Sequence, residues 1–304
     1  MRKLSGLIAA TFTPMTAAGE IACGPIVPMV ERLIADGVTG LYVCGSTGEG
    51  PSMTTEERKR VAAAFVEAAA GRIPVVVQVG HNAIGEARSL ARHAEEIGAD
   101  AISAVPPSYY GIASTSTLAA TVAEIAAAAP QTPFYYYHIP QLSGLGFDAA
   151  EIMAAVAERI PTLAGIKFSH TQLDMLIRCR ALQEGRFQTL FGVDEMLLAA
   201  WAAGCDGGVG STYNFMAPGS LEMLAAFDAG RLDDARQQQQ RLTAITRRIV
   251  KQHGISGLKA TMRLVGPDCG PTRLPLPQMT PSEIADLHRD LLAAGLGAGA
   301  AGRG

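Results

Sequence analysis

The chain has 304 residues, 48% hydrophobic and 17% charged, with a net charge of -3. That length buries a large core, as one large α/β domain or two smaller ones, and the scattered basic residues give no electrostatic footprint for nucleic acid. No uninterrupted apolar run approaches the ~18 residues that cross a membrane. The cysteines Cys23, Cys44, Cys179, Cys205 and Cys269 show neither paired spacing nor neighbouring histidine pairs, which disfavours disulfides and a zinc site and fits a reducing cytoplasm.

From the N-terminus, Met1-Arg2-Lys3-Leu4 and the following Ile8-Ala9-Ala10 weakly imitate a signal peptide, but Gly6, Thr11, Thr13 and Pro14 break the apolar run. Residues 6–12 read instead as a first strand. Further strands are predicted over 40–44, 74–79, 101–105, 133–138, 163–168, 188–191 and 207–210, with alanine-rich helical patterns such as 54–70, 84–97 and 116–129 between them. The run Arg58-Lys59-Arg60 reads as the surface of one of those helices. Units near the ~30 residues of a βαβ repeat, eight in number, close a TIM (β/α)8 barrel of the α/β class. An open doubly wound sheet is the alternative, but the first βα turn carries no GxGxxG. Beyond Ser220 the strand signals stop. Helical patterns over 221–229, 232–253 and 281–296, joined by a proline-rich connection at 266–277, predict a C-terminal helical appendage. The expected organisation is a barrel over 1–220 carrying the active site, appended helices over 221–296, and a disordered tail over 297–304.

In a barrel the chemistry gathers where strands end and βα loops begin. Lys167 stands in the apolar strand Leu163-Ala164-Gly165-Ile166-Lys167-Phe168, where an ammonium is expensive unless it is paired or used. Desolvation lowers a lysine pKa and yields a neutral amine that attacks a ketone, so the residue reads as a Schiff-base lysine; the plain alternative is the exposed last residue of an edge strand. After the second strand, Gly45-Ser46-Thr47-Gly48-Glu49 is either a carboxylate- or phosphate-holding turn or an ordinary glycine turn with a hydroxyl cap. In Tyr135-Tyr136-Tyr137-His138 the period of two puts Tyr135 and Tyr137 on one face, where one of them reaches the mouth as a proton carrier or both pack beneath the helices. His138, on the other face, reads as a hydrogen-bonded structural histidine. The seventh strand leads to Gly192-Val193-Asp194-Glu195, carboxylates for sugar hydroxyls or for a helix cap. The eighth ends at Gly207-Gly208-Val209-Gly210-Ser211-Thr212, whose small residues let a ligand approach backbone.

These segments, together with Tyr137-His138-Ile139-Pro140 and Gly270-Pro271-Thr272-Arg273-Leu274-Pro275-Leu276, resemble the dihydrodipicolinate synthase and N-acetylneuraminate lyase family of class I pyruvate aldolases over nearly the full chain. Tyr135-Tyr136-Tyr137-His138-Ile139-Pro140-Gln141-Leu142-Ser143-Gly144 looks most like its N-acetylneuraminate lyase branch. The synthases typically have arginine where this chain has Leu142 and a second threonine where it has Ser46, two departures that disfavour the synthase reaction.

The resemblance implies reversible cleavage of N-acetylneuraminate to pyruvate and N-acetylmannosamine, with a covalent imine on Lys167 and no cofactor. It implies that Ser46 and Thr47 hold the substrate carboxylate, that Tyr137 carries the proton, and that a relay runs through Ser46 to a tyrosine of the neighbouring subunit in a homotetramer. Tyr109 matches that tyrosine, although Ser108 departs from the usual aromatic and leaves Tyr110 as the other choice. Gly192, Asp194, Glu195 and Ser211 match positions at the polyol tail, Ser169 a hydroxyl position near its middle, and Gly210 is a further substrate-binding candidate. A sibling aldolase or dehydratase for another 2-keto-3-deoxy sugar acid is the competing expectation.

Overall fold

The computed structural model describes residues 3–296, so the tail expected over 297–304 lies outside the described residues. Eight strands, β1 (Gly6–Ala10), β2 (Gly40–Val43), β3 (Val75–Gln78), β4 (Ala101–Ala104), β5 (Phe134–His138), β6 (Leu163–Phe168), β7 (Gln188–Phe191) and β8 (Gly207–Gly210), close in chain order into an all-parallel barrel. Around them run α1 (Ile26–Ala35), α2 (Thr55–Ala69), α3 (Ile84–Glu96), α4 (Thr115–Ala126), the single turn α5 (Pro140–Ser143), α6 (Ala149–Ala157), α7 (Leu173–Ala181), α8 (Leu197–Ala202) and α9 (Tyr213–Asp228). Two further helices follow, α10 (Leu232–Val265) and α11 (Pro281–Ala293), with α10 packed along α9. The expected barrel with appended helices is borne out.

Both faces of each strand are buried, which is why the strand sequences read as near-continuous apolar runs. Leu41, Val43, Val75, Val77, Ile102 and Ile166 face the helices, while Ile8, Tyr42, Val76, Tyr135, Tyr137, Leu190 and Val209 fill the lumen. The pairing of β5 with β6 slips by one residue, from Phe134 opposite Leu163 to Tyr135 opposite Gly165, so Ala164 is an extra residue and Tyr137 stands opposite Lys167. Gly165 is obligatory there, because a Cβ would collide with the Gln188 carbonyl of β7.

Three details differ from expectation. The helix expected from 221 starts at Tyr213 and passes through Pro218 and Gly219, two breakers that mask its first turns, so a boundary at 220 falls inside α9. The helix expected to stop at 253 breaks at Gly254 (φ 54°) and resumes to Val265. Arg58 is not on a helix surface: it is 2% exposed, and its guanidinium reaches from α2 to donate to the Gln78 carbonyl and Oε1, each at 2.6 Å, and to the Gly80 carbonyl at 2.9 Å. A run of like charges in sequence conceals the one member whose two terminal guanidinium nitrogens are held by Gln78 and Gly80, at and just past the end of β3.

Candidate active site

Lys167 is buried at the C-terminal end of β6, and a closed barrel has no edge strand to expose it. Its Nζ stands 3.6 Å from the Tyr42 ring centroid and 4.1 Å from that of Tyr137, two rings that meet edge to face at 5.8 Å. It has no carboxylate in salt-bridge contact among the described residues. Burial pushes the ammonium pKa down, with the charge and hydrogen bonding of Tyr137 and the charge of Asp194 acting against it. A desolvated amine without an ion-pair partner is more readily neutral, and a neutral amine is a nucleophile.

Position along β5 separates the two candidate tyrosines, which share the lumen face. Tyr135 is deeper in the lumen and donates its hydroxyl to Gln188 Oε1 at 2.7 Å, whereas Tyr137 is paired in register with Lys167. His138, on the helix side, stacks on Phe168 at 5.3 Å with His170 edge-on at 5.9 Å. Its ring makes no hydrogen bond among the described residues, so aromatic packing replaces the bond expected from sequence. Burial, then the neighbouring His170, pushes its pKa down to about 4, against an opposing effect of Asp148.

The turn after β2 and the end of β8 meet directly: Thr47 Oγ1 and Ser211 Oγ are 2.6 Å apart. Ser46 is half-buried beside them, and its hydroxyl has no hydrogen bond among the described residues. Glu49 is turned away from the mouth, with its carboxylate bound to the C-terminal part of the chain. Asp194 Oδ2 accepts from the Thr212 N–H at 2.9 Å and from the Thr212 hydroxyl at 2.6 Å. It therefore caps the turn into α9 and not its own helix. Burial pushes the Asp194 and Glu195 carboxyl pKa values up, and the Thr212 bonds act against this at Asp194. The glycines are required by close approach: a Cβ at Gly192 would meet the Ser169 hydroxyl, and one at Gly210 would meet the Asp194 carboxylate.

Ser46, Thr47, Tyr137, Lys167, Ser169, Gly192, Asp194, Glu195, Gly210 and Ser211 thus all lie at the C-terminal ends of β2 and β5–β8 or in the loops that follow them. Tyr109 lies in the loop after β4 and makes no hydrogen bond or ring contact with any of them among the described residues. Its ring packs edge to face on Tyr110 at 5.1 Å, and both are about four-fifths exposed, at 80% and 81%. Their loop is fastened by Asn82 Oδ1, which accepts from the N–H groups of Ser108 and Tyr109. Sequence reading missed Tyr42, although the alternation Leu41-Tyr42-Val43 places it inward, immediately before the glycine turn.

A closed parallel barrel that carries near the end of its sixth strand a desolvated amine with no counter-ion among the described residues is an architecture that can support Schiff-base chemistry. The chain belongs to the dihydrodipicolinate synthetase family, whose model matches residues 3–294. It is 41% identical over 295 residues to the N-acetylneuraminate lyase of Rattus norvegicus, covering 95% of this chain and 92% of that one. The Homo sapiens N-acetylneuraminate lyase is also 41% identical, over 290 residues, covering 94% of this chain and 90% of the other. Among solved structures, the Proteus mirabilis N-acetylneuraminate lyase superposes with a TM-score of 0.94 at 37% identity, covering 97% and 100% of the two chains. A dihydrodipicolinate synthase from Bacillus anthracis superposes with a TM-score of 0.89 at 26% identity, covering 96% and 99%.

Proposed function

We propose that this chain is a class I aldolase that cleaves N-acetylneuraminate reversibly to pyruvate and N-acetylmannosamine. The observation that carries the reading is Lys167, an amine buried without a counter-ion between two aromatic faces at the barrel mouth. Its nitrogen adds to the C2 ketone, the C2 oxygen leaves as water with a proton from the Tyr137 hydroxyl, and a cationic imine beside a Tyr137 phenolate results. Tyr137 takes the C4 hydroxyl proton as the C3–C4 bond breaks; the bonding electrons move into the imine to give an enamine, and N-acetylmannosamine departs as the aldehyde. Protonation at C3 and hydrolysis then release pyruvate and restore the amine. The covalent imine is the electron sink, so the bond cleavage calls for no further cofactor. A free phenol is a weak base near neutrality, and the adjacent cation lowers the energy of its anion in the transition state.

Ser46 and Thr47 hold the substrate carboxylate, and Ser169, Gly192, Asp194, Glu195, Gly210 and Ser211 line the path of the polyol tail. Leu142, 62% exposed, offers no cation for the second carboxylate that a synthase substrate carries. The exposed Tyr109–Tyr110 pair suits a contact with a neighbouring protomer, and the active unit in this reading is a homotetramer built as a dimer of dimers. Five free thiols accord with a reducing cytoplasm, and among the described residues no helix is long and apolar enough to cross a membrane.

Borohydride reduction in the presence of pyruvate tests the chemistry: a three-carbon adduct on Lys167 and loss of activity are expected, and an adduct on Lys251 or Lys259, or none, overturns it. Pyruvate release from N-acetylneuraminate and from six-carbon 2-keto-3-deoxy acids then separates the nine-carbon reading from a sibling aldolase.

A further inference from the structure

The appended helices reach the turn after β2 through a buried ion pair that spans 210 positions of sequence. Glu49 Oε1 accepts from Lys259 Nζ at 2.6 Å, and the two side chains are 0% and 1% exposed. Glu49 Oε2 accepts from the Arg273 N–H at 2.8 Å, and Lys259 donates also to the Pro271 carbonyl at 2.8 Å. Lys259 is therefore as deeply buried as Lys167, yet it faces a carboxylate and donates two hydrogen bonds. The Arg273 guanidinium extends the contact, forming a fork with both Glu57 oxygens at 2.6 and 2.8 Å and donating to the Gly19 carbonyl at 2.6 Å.

What this network grips is the turn that carries Ser46 and Thr47. Glu49 holds a left-handed backbone (φ 56°), and its N–H donates to the Ser46 carbonyl at 3.1 Å. Thr13 donates its hydroxyl to the Gly48 carbonyl at 2.7 Å on the opposite side. A non-glycine residue at 48 or 50 would collide with the Thr11 or Cys44 carbonyl. A buried ion pair is weak evidence for net stability, and its best use is to select one geometry among near alternatives. Here the geometry selected is that of the turn carrying the Ser46 and Thr47 hydroxyls.

We propose that Glu49 and Lys259 are positioning residues for carboxylate recognition, holding the 45–49 turn so that the Ser46 and Thr47 hydroxyls form a preorganised cradle for the carboxylate of a 2-keto acid. The inference rests on the reading of Ser46 and Thr47 as the carboxylate site. It makes the C-terminal segment part of substrate recognition, although no residue of that segment touches the substrate.

The test compares two carbonyl compounds trapped on Lys167 by borohydride, pyruvate and acetaldehyde, the second lacking a carboxylate. In Lys259→Met the half-saturating pyruvate concentration should rise by about tenfold or more, while that of acetaldehyde stays within about twofold. A purely structural role would weaken both alike, and equal weakening or no change overturns the proposal. If Lys259→Met fails to fold, Glu49→Gln keeps the shape and the acceptor for the Arg273 N–H. About a threefold fall in the preference for pyruvate is then expected, and an unmoved ratio overturns the proposal. A wild-type protein that leaves no pyruvate adduct on Lys167 removes the imine reading and this inference with it; an intact adduct with an unmoved ratio removes this inference alone.

Discussion

Lys167 Nζ rests 3.6 Å from the centroid of the Tyr42 ring, and the ring is pinned by its own hydroxyl, which donates to Ser103 Oγ at 3.1 Å. Burial and the π face act in opposite senses on the nitrogen. Burial favours the neutral amine that attacks, whereas the ring attracts the cation that the imine then becomes. Tyr42→Leu should lose about 1–2 kcal/mol of that attraction and raise the pyruvate concentration for half-maximal trapping by about tenfold, while Tyr42→Phe keeps most of it. Equal trapping by both variants and the wild type would show that the ring is only a spacer.

Tyr137→Phe keeps a ring 4.1 Å from the nitrogen and deletes only the hydroxyl. Cleavage should fall by about 10²–10⁴, the usual worth of a positioned acid or base, with the fold intact. Imine formation, followed by trapping, should fall much less. Near-normal turnover refutes the proton-carrying role.

Asp194 has two tasks to separate, since one oxygen already caps Thr212. Asp194→Asn retains an acceptor for that cap and removes the charge offered to a hydroxyl. kcat/KM for N-acetylneuraminate should drop by about one to two decades, the equivalent of about 1.5–3 kcal/mol, with pyruvate trapping nearly unchanged. If neither this variant nor Glu195→Gln changes the preference between nine-carbon and six-carbon acids, the polyol role fails for both carboxylates.

The exposure of Tyr109 makes a statement about assembly testable. Mixing Lys167→Ala protomers with Tyr109→Phe protomers should restore part of the activity, because a hybrid dimer holds one site with both groups intact. Tagged subunits show whether exchange takes place. No complementation despite exchange would mean that the tyrosine serves its own chain or no site at all.

His138 predicts an acid limit to stability. Its folded pKa of about 4 lies below the ~6.5 of a free imidazole, so the unfolded chain binds the proton first as pH falls. The contribution is complete above ~6.5, is lost progressively between ~6.5 and ~4, and amounts to about 3 kcal/mol. Urea unfolding of wild type and His138→Phe over that range should give a shallower pH slope for the variant. Identical slopes would remove the assignment.

The fold was largely legible because each strand is buried on both faces and bounded by breakers; the expected spans of β6, β7 and β8 match the observed ones residue for residue. Lys167 was legible for a related reason, as a charge inside an apolar run. Arg58, in a charged run, and Lys259, between Leu258 and Ala260, are equally buried but lie in helices, where periodicity gives no sign of a partner, and those partners are distant in sequence or are backbone carbonyls. Tyr42 was overlooked because an aromatic residue in a strand is unremarkable until its neighbours across the lumen are known. The cap formed by Asp194 was foreseen in kind but not in address, since Thr212 belongs to the next βα unit.

The extra alanine in β6 gives the strand a change of parity partway along its length. Below it, Leu163 is on the helix side and Ala164 on the lumen side; above it, Ile166 returns to the helix side and Lys167 to the lumen. In an uninterrupted strand the odd-numbered positions would share one side from end to end, and Leu163 and Lys167 could not be separated. Whether residue 167 is a nucleophile or a buried misfit therefore depends on a count of residues three positions away, at a methyl group buried in the lumen. A one-residue deletion there would turn the amine into the helical layer or drive Leu163 into the lumen, and no choice of side chain at the mouth would compensate.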